Sequence, residues 1–169
     1  MSMADDITQA QLKEFFDYDA SGTFIRKING KIVPKILAKG QKYLRVSING
    51  KPRALHRVIY CWHHGYFPDV IDHINNDKLD NRIENLRSAS QAENCLNSRH
   101  RLFSRSPYKN VRKQSYPTKS GIVEKWIVQL SIDGERKYFG SYDDIELANL
   151  IAIEARDKYH GAFVNHGGM

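Results

Sequence analysis

The chain has 169 residues, 41% of them hydrophobic and 27% charged, with a formal net charge of +7, which suits one domain or two small ones with packed cores and a polyanionic partner. No apolar run reaches the roughly 18 residues needed to span a bilayer, so no membrane partner is expected, and the polar, acidic start Met1 to Asp6 is unlike a signal peptide. Cys61 and Cys95 stand alone, without a paired-cysteine motif; this excludes a disulfide framework and a structural zinc, and reads as two small buried residues in a reducing cytoplasm.

Taken in chain order, Gly22 to Arg26 and Tyr43 to Ile48 alternate apolar with polar residues and are expected as strands. Asn49-Gly50 reads as a hairpin turn into Lys51 to Leu55. His56 to Gly65 predicts a short helix, with Val58, Ile59 and Trp62 facing the core and Gly65 ending it. Val70-Ile71 leads a strand that delivers Asp72 and His73 to its end, followed by a turn-rich loop holding Asn75, Asn76, Asp77, Asp80 and Asn81. Ile83, Leu86 and Ala89 then anchor a return strand. Ser90-Gln-Ala-Glu93 has the form of a capping box, so a helix should begin there and carry Asn94 one turn in.

A polar linker over residues 98–107 separates this part, residues 1–97, from a second, residues 108–165. There, Tyr108 to Arg112, Lys125 to Ser131 and Arg136 to Gly140 read as three strands, with Asp133-Gly134 a tight turn between the last two. Asp144 is placed to cap a helix running to about His160, with Leu147, Ala148, Ile151, Ala155 and Tyr159 on one face and Gly161 as its stop.

The spacing around His73 carries chemistry. Asn85 follows it by twelve residues and Asn94 by nine more, with Asp72 adjacent. A phosphodiester resists attack because its oxygens repel nucleophiles and its alkoxide leaves poorly. A hard divalent ion offsets both charges and prefers oxygen ligands such as the Asp72 carboxylate and the Asn94 amide. A histidine, whose ordinary pKa is about 6.5, can take the proton of the attacking water. Asn85 reads equally as a catalytic or a loop-closing amide.

These residues resemble the HNH nuclease motif in its His-Asn-Asn variant. The resemblance implies a ββα-metal core in which His73 is the general base, Asp72 and Asn94 hold one Mg²⁺ or Mn²⁺ ion, and Asn85 braces the loop and the His73 ring. His56-Arg57 resembles the His-Arg helix found before the catalytic hairpin in phage and intron HNH proteins; Arg57 would serve either a phosphate or packing. The second part resembles the AP2 domain, through Tyr108, Val111-Arg112, Trp126, Tyr138-Phe-Gly140, the Ala-rich helix and Gly161 to Asn165. That family lays its sheet in the major groove, which makes Lys109, Arg112, Gln114, Gln129, Ser131, Arg136 and Tyr138 the DNA-binding candidates, with Trp126 read as structural.

Charge distribution points the same way. Residues 20–68 contain ten Lys and Arg and no acid, and residues 94–123 contain seven and no acid, a pattern suited to tracking phosphates. The expectation is therefore an α+β protein of two modules: a metal-dependent, homing-type DNA endonuclease from a phage or mobile element. It would act on double-stranded DNA in the cytoplasm of the host cell, as a monomer that nicks, with a dimer as the other option. The alternative reading is a DNA-binding regulator that keeps the HNH core as scaffold; an RNA-binding protein would instead need aromatic platforms for unstacked bases.

Overall fold

The computed structural model describes residues 7–97 and 106–166, and shows a mixed α and β chain with small sheets. Most of the expected linker, residues 98–105 with Arg99, Arg101 and Arg105, lies outside the described residues. The chain divides into two compact units, Met1–Asn94 and Cys95–Met169. Each has its own apolar core.

The first unit opens with elements the sequence reading left unassigned. Thr8 and Gln11 form a reciprocal capping box that starts α1 (Gln9–Phe15), and β1 (Phe16–Asp19) follows directly. β1 pairs antiparallel with β2 (Thr23–Arg26), and β3 (Arg45–Ile48) with β4 (Lys51–Ala54) through the expected turn, with Asn49 at φ 52°. α2 (Leu55–His64) has no side-chain N-cap; packing holds it instead. Leu55, Val58 and Ile59 are fully buried beside Leu12, Phe24 and Val46, each worth about 1.5–3 kcal/mol of apolar transfer. Gly65 ends the helix at φ 85°, as expected.

β5 (Val70–His73) pairs antiparallel with β6 (Leu86–Ala89). The return strand is shorter than expected: Ile83–Asn85 form a single 3₁₀ turn, because the Tyr18 hydroxyl and Arg82 carbonyl take the backbone N–H groups of Ile83 and Asn85. α3 (Gln91–Leu96) starts at the predicted box, in which the Ser90 N–H donates to Glu93 Oε2 at 2.7 Å and the Glu93 N–H to Ser90 Oγ at 3.2 Å.

In the second unit β7 (Val111–Thr118), β8 (Gly121–Ile132) and β9 (Glu135–Tyr142) form one antiparallel sheet in that order. Tyr108 to Asn110, expected in the first strand, make a turn instead, with Asn110 at φ 67°. α4 (Ile145–His160) is capped by Asp144, whose Oδ1 accepts from the Glu146 and Leu147 N–H groups. Its buried face is Ala148, Ala152, Ala155, Arg156 and His160; Leu147 and Tyr159, expected inward, are exposed. Small alanines let the helix sit close to Val111, Val128 and Leu130, and close seating turns the bulkier residues outward. Cys61 is buried as expected, whereas Cys95 is exposed. Among the described residues no helix is long and apolar enough to cross a membrane.

Candidate active site

The β5–β6 hairpin brings Asp72 opposite Arg87 and His73 opposite Leu86. Both site residues are almost fully buried, Asp72 at 4% and His73 at 5% exposure. A buried carboxylate needs a partner, and Arg87 supplies it: Nε donates to Asp72 Oδ2 at 2.8 Å and Nη2 lies 2.6 Å from the same oxygen.

His73 Nε2 lies 3.1 Å from Asn81 Oδ1. The Asn81 amide is oriented by its own NH₂ group, which donates to the Leu79 carbonyl at 3.0 Å. A carbonyl can only accept, so Asn81 turns its oxygen to the ring, and Nε2 must carry the ring proton. Nδ1 is then the nitrogen that carries no ring proton. Burial lowers the His73 pKa from the ordinary value, against the Asn81 bond and the Asp72 and Asp77 charges that raise it. The ring is accordingly neutral at physiological pH, the state a general base requires.

Two rings pack against it. His56 lies 5.3 Å from His73 between centroids, nearly edge-on, and Tyr43 stacks at 6.0 Å with the planes 26° apart. Tyr43 and His56 are themselves 4.8 Å apart. Burial, then the His73 and Arg57 charges, push the His56 pKa down to about 3, and its Nδ1 is buried with no hydrogen bond.

Asn85 acts on the loop backbone. Its Oδ1 accepts from the Asn75 N–H at 2.9 Å, its Nδ2 donates to the Asp80 carbonyl at 2.8 Å, and its own carbonyl accepts from Ile74. The ring of His73 is held by Asn81 rather than by Asn85. Asn94 sits half-buried on α3, its N–H bonded to the Ser90 carbonyl at 3.0 Å. Arg57 Nη1 donates to the Pro68 carbonyl at 2.9 Å, and the guanidinium lies over Phe67, which ties α2 to the lead-in of β5.

In the second unit the open face of the sheet collects most of the remaining candidates. Gln129 pairs with Tyr138 and Ser131 with Arg136, while Arg112 Nε donates to Gln129 Oε1 at 3.1 Å. Arg112, Gln129, Ser131 and Arg136 line one shallow concavity, and Gln114 follows Arg112 by two on the same side of its strand. Lys109 stands apart from that face: its amine donates to the Leu96 carbonyl at 2.7 Å, and burial lowers its pKa to about 8. Trp126 packs against the core.

Residues 53–96 match the family model described as HNH endonuclease. This segment is thus similar to an HNH endonuclease domain. This domain spans α2, the β5–β6 hairpin and α3, and so contains every residue named around His73 except Tyr43. A solved structure described as "DNA binding and cleavage by the HNH homing endonuclease I-HmuI" is similar at 25% identity and a TM-score of 0.41, covering 50% of this chain and 53% of that one. The chain thus spans about half the length of that enzyme. Curated proteins give no match.

HNH nucleases in general depend on a divalent metal. By residue type the Asp72 carboxylate and the Asn94 amide oxygen suit a hard cation, and Asp72 Oδ2 already pairs with Arg87. Among the described residues no three His, Cys, Asp or Glu side chains gather. An ion here would have few protein ligands and would draw the rest from phosphate and water, as Mg²⁺ commonly does.

Sequence reasoning gave Asn81, Arg87, His56 and Tyr43 no role beside His73. Arg87 was accessible, since strand alternation and the hairpin register set it across from Asp72. Nothing in the sequence distinguishes Asn81 from Asn75, Asn76 or Asn85 as the partner of the ring.

Proposed function

We propose that this protein is a metal-dependent, site-directed DNA endonuclease of the homing type, cutting one strand per active site. The observation that carries the reading is the orientation of His73 within the segment that matches the HNH family: buried, neutral, and with Nε2 protonated by virtue of Asn81. His73 Nδ1 accepts the proton of the water that attacks the scissile phosphorus. The resulting imidazolium is stabilised by Asp72 and Asp77, whose charges both favour the protonated ring. Asn85 keeps the 74–80 loop closed, so the hairpin delivers His73 without rearrangement. Asp72 and Asn94 would hold one Mg²⁺ or Mn²⁺, which when bound supplies charge neutralisation at the phosphate and at the departing alkoxide.

The second unit is the targeting module. Three antiparallel strands backed by one helix support an AP2-like reading, with Arg112 and Arg136 as the residues best suited to guanine edges and phosphates. Double-stranded DNA is the substrate, bound by a monomer. The pairing of the two modules supports a phage or mobile-element origin.

The test is plasmid nicking by the purified protein with Mg²⁺, with excess EDTA, and by the His73→Ala variant with Mg²⁺. Wild type should nick only without chelator, and His73→Ala should bind DNA normally while losing about 10²–10⁴ in rate. Nicking in EDTA, or at wild-type speed by His73→Ala, would overturn the mechanism.

A further inference from the structure

The β7–β8 hairpin is longer than the sheet that supports it. β9 pairs with β8 only from Trp126 to Ile132, so the outer part of the hairpin is a ribbon of two strands. Residues 115–124 are all exposed. An isolated ribbon is marginal in water, and its end would ordinarily be polar. Here it is apolar on both faces. Pro117 sits across from Ile122, and Tyr116 across from Val123 on the opposite face. Ile122 is 75% exposed, more than any other large apolar residue of the second unit. A cluster of exposed apolar side chains on a projecting tip adds nothing to the fold and invites association.

The ribbon also carries cations: residues 112–125 hold Arg112, Lys113, Lys119 and Lys125. Lys113 pairs with Glu124 and Lys125 with Asp143, which leaves Arg112 and Lys119 outside these pairs. At its base lies the concavity lined by Arg112 and Arg136. An apolar blade on a basic stalk, continuous with a basic face, matches the chemistry of a duplex, with charge for the phosphates and apolar surface for the faces of stacked bases.

We propose that the tip of the β7–β8 hairpin is a DNA wedge: Ile122, backed by Pro117, inserts into a base step at the end of the sheet's footprint, unstacks it and bends the duplex. The inference rests on the DNA-endonuclease reading and adds a role that neither the hydrolytic centre nor the sheet face performs. Targeting then depends on how easily a step opens as well as on base edges, because a flexible or damaged step costs less to unstack.

The test uses the full chain in metal-free buffer and two short duplexes of one sequence, fully paired or with a central mismatch, each carrying 2-aminopurine beside the centre. The wild type should raise 2-aminopurine fluorescence and should prefer the mismatched duplex by about tenfold, since the mismatch removes part of the unstacking cost. Ile122→Ser should abolish both effects while leaving circular dichroism and thermal melting unchanged, because the side chain is mostly in water. Pro117→Ser should weaken both. Plasmid nicking with Mg²⁺ is measured in parallel. If the wild type nicks DNA but neither unstacks 2-aminopurine nor prefers the mismatch, the wedge is wrong and the nuclease reading stands. If it unstacks without nicking, the nuclease reading fails and the wedge survives. Wild-type behaviour in Ile122→Ser, or a DNA-independent self-association in sedimentation that this substitution removes, would overturn the wedge.

Discussion

The surroundings of His73 suit the proposed base, with Asn81 Oδ1 facing Nε2 and the Tyr43 and His56 rings packed against it. His56 has the more extreme environment, with burial and the neighbouring His73 and Arg57 charges pushing its pKa down to about 3. A folded value below the unfolded value of about 6.5 means that the unfolded chain takes up a proton there which the folded chain refuses. Its contribution is complete above pH 6.5 and declines as the pH falls from there toward 3. Between pH 7 and pH 5 this one residue should cost about 2 kcal/mol of stability, at about 1.4 kcal/mol per pH unit below 6.5. Urea unfolding at the two pH values should show that loss in the wild type and a smaller one, by the same amount, in His56→Phe. Equal losses in both proteins would mean that His56 is not buried in its neutral form. At this scale the sequence was informative about the segment, since the spacing of Asp72, His73, Asn85 and Asn94 pointed to the family that residues 53–96 match. It was silent where several identical residues compete for one role, as the asparagines of the 75–85 loop do, and where contact arises between distant segments, as between Tyr43, His56 and His73.

Among the elements, the N-terminal hairpin has the least obvious purpose, yet it approaches the loop that carries Asn81 closely. The turn between β1 and β2 carries Gly22 at φ 74°, and a Cβ there would stand 2.9 Å from the Asn81 carbonyl carbon and 3.0 Å from the Arg82 nitrogen. The Tyr18 hydroxyl accepts the Ile83 N–H at 3.0 Å from the same hairpin. The β1–β2 hairpin therefore buttresses the backbone that holds Asn81, and through Asn81 the ring of His73. Gly22→Ala should be destabilising by about 1–2 kcal/mol from the left-handed backbone alone, and by more if the loop cannot yield. It should also slow nicking, since a displaced Asn81 no longer fixes the ring. Thermal melting and nicking rate together decide this: a variant that melts and nicks like wild type would show that the hairpin does not support the site. β2 was expected from sequence, but α1 and β1 went unassigned, because β1 has only four residues and the Thr8–Gln11 box precedes only a seven-residue helix. By contrast, the end of α2 at Gly65, the Ser90–Glu93 box and the Asp133-Gly134 turn were legible, each being fixed by residues adjacent in the chain. The inward face of α4 was misjudged because bulk was taken as the mark of burial, whereas close helix–sheet packing selects alanine.

The molecule as a whole joins two units with separate cores, divided between Asn94 and Cys95, so that α3 begins in one and ends in the other. Leu96 and Asn97 belong with the second unit: the Lys109 amine donates to the Leu96 carbonyl at 2.7 Å, and Asn165 Nδ2 donates to the Asn97 carbonyl at 3.0 Å, with Asn97 only 2% exposed. Separate cores predict separable activities. A fragment of residues 1–101 retains α3 entire and all the groups around His73, and should nick duplex DNA in Mg²⁺ with little preference for sequence. A fragment of residues 91–169 keeps the Leu96 and Asn97 contacts, and should fold, bind duplex DNA and never cut it. Starting the second fragment at Ser104 removes both contacts and should lower its melting temperature. Mapping nick positions by sequencing compares the 1–101 fragment with the full chain. Should that fragment cut at the same preferred sites as the full chain, targeting resides in the first unit, and its acid-free basic stretch over residues 20–68 becomes the surface that reads DNA.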